Sequence, residues 1–279
     1  MRLAFSTLGC PGDTLRQVLE LARVTGSSGV ELRAGDAEIV HAGMNADQRG
    51  RVRSELTAGG VSVLALASYV RVCAPEADGN DSVLAELLAA VDLAADLGAT
   101  HVRVFPGAGL PPHTPGTPLS AELIAADQLG AARLNAAAGL ARDRGVVLAL
   151  ETHDSHPRAA DIKRILAHVD PGAPVKVIWD LMHPWRHDEA PETTAALLAD
   201  SLAYAQYKDG VRVPGTNTVE LLLPGQGELP LLAMQALVGG IARAHGDLNP
   251  WISLEWERAW HPELPPLRQA LDSLKELLA

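Results

Sequence analysis

Short apolar runs alternate with longer amphipathic stretches along the whole chain. The runs fall at residues 3–7, 29–33, 61–68, 100–105, 146–151, 175–180, 203–208 and 251–256. Between and after them lie stretches rich in Ala and Leu, at about 14–25, 46–58, 82–97, 121–144, 158–168, 192–200, 229–244 and 265–278. Brief β-rich runs read as buried strands, and the longer stretches as helices. Leu97-Gly98, Arg144-Gly145 and, after a polar turn, Ser28-Gly29 place a glycine where a left-handed residue ends a helix and a strand begins.

Strictly alternating strands and helices imply parallel pairing, because each crossover must return over the sheet. Eight such units in 279 residues predict a single (β/α)₈ TIM barrel spanning 1–279. An open doubly wound sheet would usually place a glycine-rich phosphate loop after its first strand. That position reads Ser6-Thr7-Leu8-Gly9-Cys10-Pro11-Gly12 and lacks the spacing. No linker, repeat or low-complexity segment divides the chain. The Pro/Gly-rich stretch 106–118 is predicted to be a long loop over the catalytic face.

Composition narrows the function. The chain has 34 acidic and 23 basic side chains, a net charge of −11, which argues against nucleic acid as a partner. No apolar run reaches the length of a bilayer span, and the first residues do not form a signal peptide. A cytoplasmic protein without membrane contact is expected, with a homo-oligomer allowed. Two cysteines, Cys10 and Cys73, make neither a disulfide framework nor a cysteine zinc site, and read as inert thiols.

In a parallel barrel the active site forms at the C-terminal strand ends. Four consecutive strands end in polar residues: Glu151-Thr152-His153, Asp180-Leu181-Met182-His183, Gln206-Tyr207-Lys208-Asp209 and Glu255-Trp256-Glu257. Side chains alternate along a strand, so Glu151 pairs with His153 on one face, and Gln206 with Lys208. Glu151, Asp180, Gln206 and Glu255 are predicted to converge in the barrel mouth. Three carboxylates at close quarters repel, and a divalent cation is the simplest compensation. Asp209 reads as a cap for the next helix. Gly225-Gln226-Gly227 reads as a plain turn, with a phosphate cradle as the alternative. Trp185, Trp256 and Trp260 stand near the mouth, where they either wall the pocket or pack the last helix. His41, His101, His113, His156, His168, His187, His245 and His261 are read as surface or helix-end residues.

These segments, with Gly29-Val30-Glu31-Leu32-Arg33 and Gly225-Gln226-Gly227-Glu228-Leu229-Pro230, resemble the xylose isomerase-like TIM-barrel superfamily, the sugar phosphate isomerases/epimerases. The resemblance covers nearly the whole chain. It implies one Mn²⁺ or Mg²⁺ ion held by Glu151, Asp180, Gln206 and Glu255, with Co²⁺ or Zn²⁺ also admissible. The departure is Gln206, where ketose 3-epimerases of the superfamily carry His. An amide oxygen would make an all-oxygen site, favouring hard ions. The superfamily's 3-dehydroshikimate dehydratases are similar in pairing Glu-x-His with Asp-x-x-His. Their substrate-facing residues would correspond to Tyr69, Arg103, His153 and Lys208, and the two cations would suit an anionic substrate. The superfamily's DNA-repair endonucleases, with three zinc ions and more histidines, fit poorly.

The implied activity is isomerisation or epimerisation of a sugar or sugar phosphate. The metal would bind a carbonyl oxygen and a neighbouring hydroxyl. Glu151 and Glu255 would take and return the proton through an enediolate. His183 would orient a ligand, and Lys208 would stabilise developing charge. The alternatives are a metal-dependent dehydratase with His153 as base, and a non-catalytic metal- or sugar-binding protein.

Overall fold

The computed structural model describes residues 1–76 and 81–279. Eight parallel strands close into a barrel: β1 (Arg2–Ser6), β2 (Gly29–Arg33), β3 (Ser62–Arg71), β4 (His101–Phe105), β5 (Val147–Glu151), β6 (Val175–Asp180), β7 (Leu202–Tyr207) and β10 (Trp251–Leu254). The order around the barrel is β1-β10-β7-β6-β5-β4-β3-β2, so β10 seals the sheet against β1 and β7. The helices are α1 (Leu15–Thr25), α2 (Ala46–Ala58), α3 (Ser82–Leu97), α4 (Ala121–Arg144), α5 (Ala159–Leu166), α6 (Met182–Arg186), α7 (Pro191–Leu198), α8 (Leu231–Ala244) and α9 (Leu267–Leu278). All eight predicted strands and all eight predicted helices are present, with ends shifted by up to three residues.

Local chemistry explains the boundaries. Thr14 and Gln17 form a reciprocal capping box at the start of α1, satisfying two otherwise unpaired backbone donors. Gly98 and Gly145 adopt φ of 76° and 67° and end α3 and α4 as predicted. The stop expected at 28–29 falls earlier, at Gly26 with φ 68°, and Gly29 already belongs to β2.

Two elements go beyond the predicted pattern. The sequence His183-Pro184-Trp185-Arg186 lies in the short helix α6. After the seventh barrel strand, β8 (Asp209–Arg212) and β9 (Val219–Leu222) form an antiparallel hairpin. Four-residue strands of mixed polarity carry no period that local pattern could detect. Gly210 is required in β8, because a Cβ there would meet the Glu220 carbonyl oxygen at 2.3 Å.

The main apolar core lies between barrel and helices, while a smaller one fills the barrel interior: Ala4, Leu64, Ala65, Ala149, Ile178 and Tyr204. Small side chains there leave room for a large ring, and Tyr204 occupies the centre, edge-on to His101 at 5.4 Å. Above Tyr204 on the inward face of the same strand come Gln206 and Lys208, two and four residues on. Glu151 and His153 stand above Ala149 in the same way, and Asp180 above Ile178. The polar site is therefore the upper continuation of the apolar barrel floor. No helix among the described residues is long and apolar enough to cross a membrane.

Candidate active site

A cavity of about 420 Å³ opens at the C-terminal end of the barrel, a size suited to a small molecule. Glu151 and Glu255 lie at its lining, with Arg103, Phe105, His153 and His183. Thr218, Val219 and Leu221 of the β8–β9 hairpin form part of one wall, and Trp260 and Tyr69 contribute to the rim. Asp180, Gln206 and Lys208 are buried and lie outside that wall.

The predicted cluster does converge. Ligand atoms of Glu151, Asp180 and Glu255 lie within 4.8 Å of one another. A second trio, Glu151, His153 and His183, satisfies the same limit. Gln206 stands in register with Asp180 on one side and Ser253 on the other.

The carboxylates do not face neutral partners alone. Lys208 Nζ lies 2.6 Å from Glu255 Oε2, 2.8 Å from Asp180 Oδ2 and 2.6 Å from Glu257 Oε1. Arg103 reaches Glu255 at 3.0 Å and Glu151 at 3.5 Å. Both cations are thus committed to the protein's own carboxylates, which corrects the expectation that they await a substrate anion. Burial opposes ionisation of Glu255, but Lys208 and Arg103 outweigh it and hold its carboxyl at about 2. Glu151 goes the other way: burial and the neighbouring Glu255 charge push it well above the usual carboxylate range. Asp180 is also raised, chiefly by burial. His183 is held neutral by burial and by His153.

A divalent cation fits this chemistry. Five carboxylates (Glu31, Glu151, Asp180, Glu255, Glu257) face two cations, an excess of negative charge. Among the described residues, both oxygens of Glu151 and Oε1 of Gln206 are buried without a hydrogen-bond donor. Such orphaned acceptors are costly unless something positive meets them.

Glu31 was not among the predicted site residues. It is fully buried and accepts hydrogen bonds from Tyr204 Oη at 2.8 Å, Gln206 Nε2 at 3.0 Å and Ser253 Oγ. A carboxylate in mid-strand within Gly29-Val30-Glu31-Leu32-Arg33 was its one sequence signal. His156, read as a surface residue, is wholly buried instead, and so is most of His101. His156 Nε2 pairs with Asp127 Oδ1 of α4 at 2.6 Å, and its Nδ1 lies 2.9 Å from Ser155 Oγ. The backbones of His153 and His156 exchange two hydrogen bonds. That turn presents His153 to the cavity, with its Nδ1 2.8 Å from Asp154.

The tryptophans separate. Trp256 is fully buried, donating from Nε1 to the Pro265 carbonyl at 2.8 Å, so it packs the last helix and does not touch the cavity. Trp185 is also outside the wall and lies under the Arg212 guanidinium at 4.2 Å. Trp260, 58% exposed, supplies the aromatic rim. Tyr69 lines the cavity, its hydroxyl accepting from Arg33 Nε at 2.8 Å.

Asp209 caps a turn and not the next helix, which corrects the expectation from its position after the strand. Its carboxylate accepts from the backbone N–H groups of Gly225, Gly227 and Leu229. The Gly225–Gly227 turn is therefore already filled by an internal anion and offers no phosphate cradle. A Cβ at Gly227 would sit 2.2 Å from Asp209 Oδ1, which is why glycine stands there.

Several solved structures share this fold. One is the IolI protein with a bound zinc atom: 18% identity, TM-score 0.75, covering 99% of this chain and 96% of that one. Another is the probable 3-DHS dehydratase AsbF from Bacillus anthracis: 15% identity, TM-score 0.72, covering 100% and 99%. A third is D-psicose 3-epimerase in the presence of D-fructose: 14% identity, TM-score 0.72, covering 99% and 97%. No curated protein matches the chain. Residues 19–277 match the model of the xylose isomerase-like TIM barrel. With that match and its closed eight-stranded parallel barrel, the chain belongs to the xylose isomerase-like TIM barrel family.

Proposed function

We propose that the protein is a divalent-metal-dependent isomerase of a small sugar-like polyol, using Glu151 as the proton-transferring base. The observation that carries this reading is the contrast between two carboxylates of one cavity. Glu151 has no hydrogen-bond donor on either oxygen among the described residues, with Arg103 no nearer than 3.5 Å, and is raised, while Glu255 is closely ion-paired and held at about 2. Environments that push two such groups apart divide their roles. Glu151 takes the proton from one carbon and returns it to the neighbouring carbon on the same face, as an aldose–ketose isomerisation requires; epimerisation needs a second proton donor on the opposite face, a role that Glu255 held as an anion does not fill. The symmetric exchange between Glu151 and Glu255 expected from the sequence gives way to this asymmetric one.

Glu151, Asp180, Gln206 and Glu255 would hold the ion. When bound, it would polarise a carbonyl oxygen and an adjacent hydroxyl, acidifying the C–H between them. The likeness to IolI with zinc and to D-psicose 3-epimerase supports this choice. Neutral His183 steadies a substrate hydroxyl, and Lys208 keeps Asp180 and Glu255 at a fixed separation. The wall cations not spent on these carboxylates are Arg71 and Arg186. Arg186 Nε is buried without a hydrogen-bond partner among the described residues. These arginines suit a carboxylate or phosphate substituent.

A dehydratase is the second reading, favoured by His153. Its ring is partly exposed in the cavity and oriented by Asp154 at 2.8 Å, an arrangement suited to a general base. Incubation in D₂O with a panel of ketoses separates the two. The isomerase reading expects deuterium at one carbon with product mass otherwise constant. An aromatic ultraviolet band from 3-dehydroshikimate, stopped by His153→Ala, would replace it with the dehydratase.

A further inference from the structure

We infer that Glu31 is a positioning residue for the metal site: it holds the Gln206 amide nitrogen, so that the amide oxygen is the atom left free for an ion. The inference rests on the metal-site reading above and adds a residue and a mechanism to it.

Glu31 sits on β2, three strands around the barrel from β7. Its side chain crosses the interior to meet three neutral donors: the Tyr204 hydroxyl, the Ser253 hydroxyl and the Gln206 amide nitrogen, at 3.0 and 3.3 Å from the two Glu31 oxygens. No cation lies within ion-pair distance of it among the described residues. A buried carboxylate without a cation is expensive to keep. Tyr204 and Ser253 satisfy it, and of its three donors Gln206 is the one that also meets the carboxylate cluster, its Nε2 lying 3.4 Å from Glu255 Oε1. Gln206 is the contact through which it faces the site.

An amide has two ends of nearly equal shape and opposite polarity. Turning Gln206 over would set its oxygen against the Glu31 oxygens, acceptor against acceptor. Glu31 therefore selects one orientation. The nitrogen's other hydrogen points toward Glu255 Oε1 at 3.4 Å, so two carboxylates from opposite sides hold the same end. Gln206 Oε1 is left buried with no donor. A metal-bound histidine is commonly oriented by giving its second ring N–H to a carboxylate. Glu31 and Gln206 reproduce that relation with an amide, the donor end to Glu31 and the acceptor end free.

The test is a double-mutant cycle read by Mn²⁺ calorimetry, with melting temperatures recorded in chelator. Glu31→Gln should weaken Mn²⁺ binding on the order of 10- to 100-fold. Its melting temperature without metal should hold or rise, because an unpaired buried charge is gone. In the Gln206→Ala background the same change should cost little more. An equal loss in both backgrounds means that Glu31 acts only by its charge, and overturns the inference. A merely structural role would lower melting temperature and affinity together, which also overturns it. If Glu31→Gln does not fold, a crystal structure of the unaltered protein with Mn²⁺ decides. Gln206 Oε1 on the ion with Nε2 on Glu31 supports the inference, and Gln206 turned from the ion refutes it. Wild-type protein that binds no divalent ion would instead remove the metal reading itself.

Discussion

Lys208 and Glu255 form a buried ion pair, Nζ to Oε2 2.6 Å, just past the ends of the adjacent strands β7 and β10. The same ammonium reaches Asp180 and Glu257. One residue thus ties three carboxylates from two other strands into the site, and leaves Glu151 as the carboxylate it does not reach, with no hydrogen-bond donor on either oxygen among the described residues. What a substrate meets at the lining is set by which acid Lys208 neutralises.

Identical substitutions at Glu151 and Glu255 should act on stability with opposite signs. The Glu255 carboxyl lies below its ordinary 4.5, at about 2. Its contribution is present above pH 4.5 and is lost as pH falls toward about 2. Glu151 is raised, so its contribution is full below pH 4.5 and lost as pH rises through its elevated value. In chelator at pH 7, Glu255→Gln should destabilise by about 3 kcal/mol, leaving Lys208 and Arg103 short of a partner. Glu151→Gln should stabilise by about 1 kcal/mol. Urea melts of the two variants check this, and equal signs would refute the assigned asymmetry.

Glu151→Gln should also reduce kcat on the order of 10²- to 10⁴-fold. An amide cannot accept the proton. Metal content measured beside the kinetics separates loss of base from loss of ion. Full activity in a metal-loaded Glu151→Gln variant would exclude this residue as base.

The purified protein should carry one divalent ion per chain. At 100 times its dissociation constant, such an ion stabilises the native state by about 2.7 kcal/mol. Chelation should therefore lower the melting temperature by several degrees, and added Mn²⁺ or Mg²⁺ should restore it. Metal analysis that finds none, with no thermal response to either ion, would remove the assignment.

Arg186→Ala should raise KM about tenfold for substrates bearing a carboxylate or phosphate, with little effect on neutral sugars. The loss of one charge-assisted hydrogen bond is worth roughly 1.5 kcal/mol. Matched neutral and anionic substrates provide the comparison. An equal change for both would mean that Arg186 shapes the wall without reading charge.

Asp127→Asn should destabilise the fold by about 3 kcal/mol. Asp127 is buried, with His156 on one oxygen and Arg164 at 2.8 Å on the other. Through His156 it also supports the turn carrying His153. Chemical denaturation measures the loss, and a change under 0.5 kcal/mol would show the network to be dispensable.

The barrel and the convergence of Glu151, Asp180 and Glu255 were legible in the chain itself. Alternation of apolar runs with helical stretches is a local signal, and parallel pairing then places every strand end at one mouth. Gln206 and Lys208 followed from the same logic, because side chains two apart share a face. The partnership of Glu31 with Tyr204, Gln206 and Ser253 was not legible, since these residues lie 173 to 222 positions from Glu31 and meet only when β10 closes the ring. The same closure decided that Lys208 and Arg103 neutralise internal acids. Residue type announces a charge, but only packing decides which opposite charge it reaches. Trp256 and His156 make the point from the other side: Trp256 follows Glu255 directly and His156 stands three residues after His153, yet packing turns both away from the cavity.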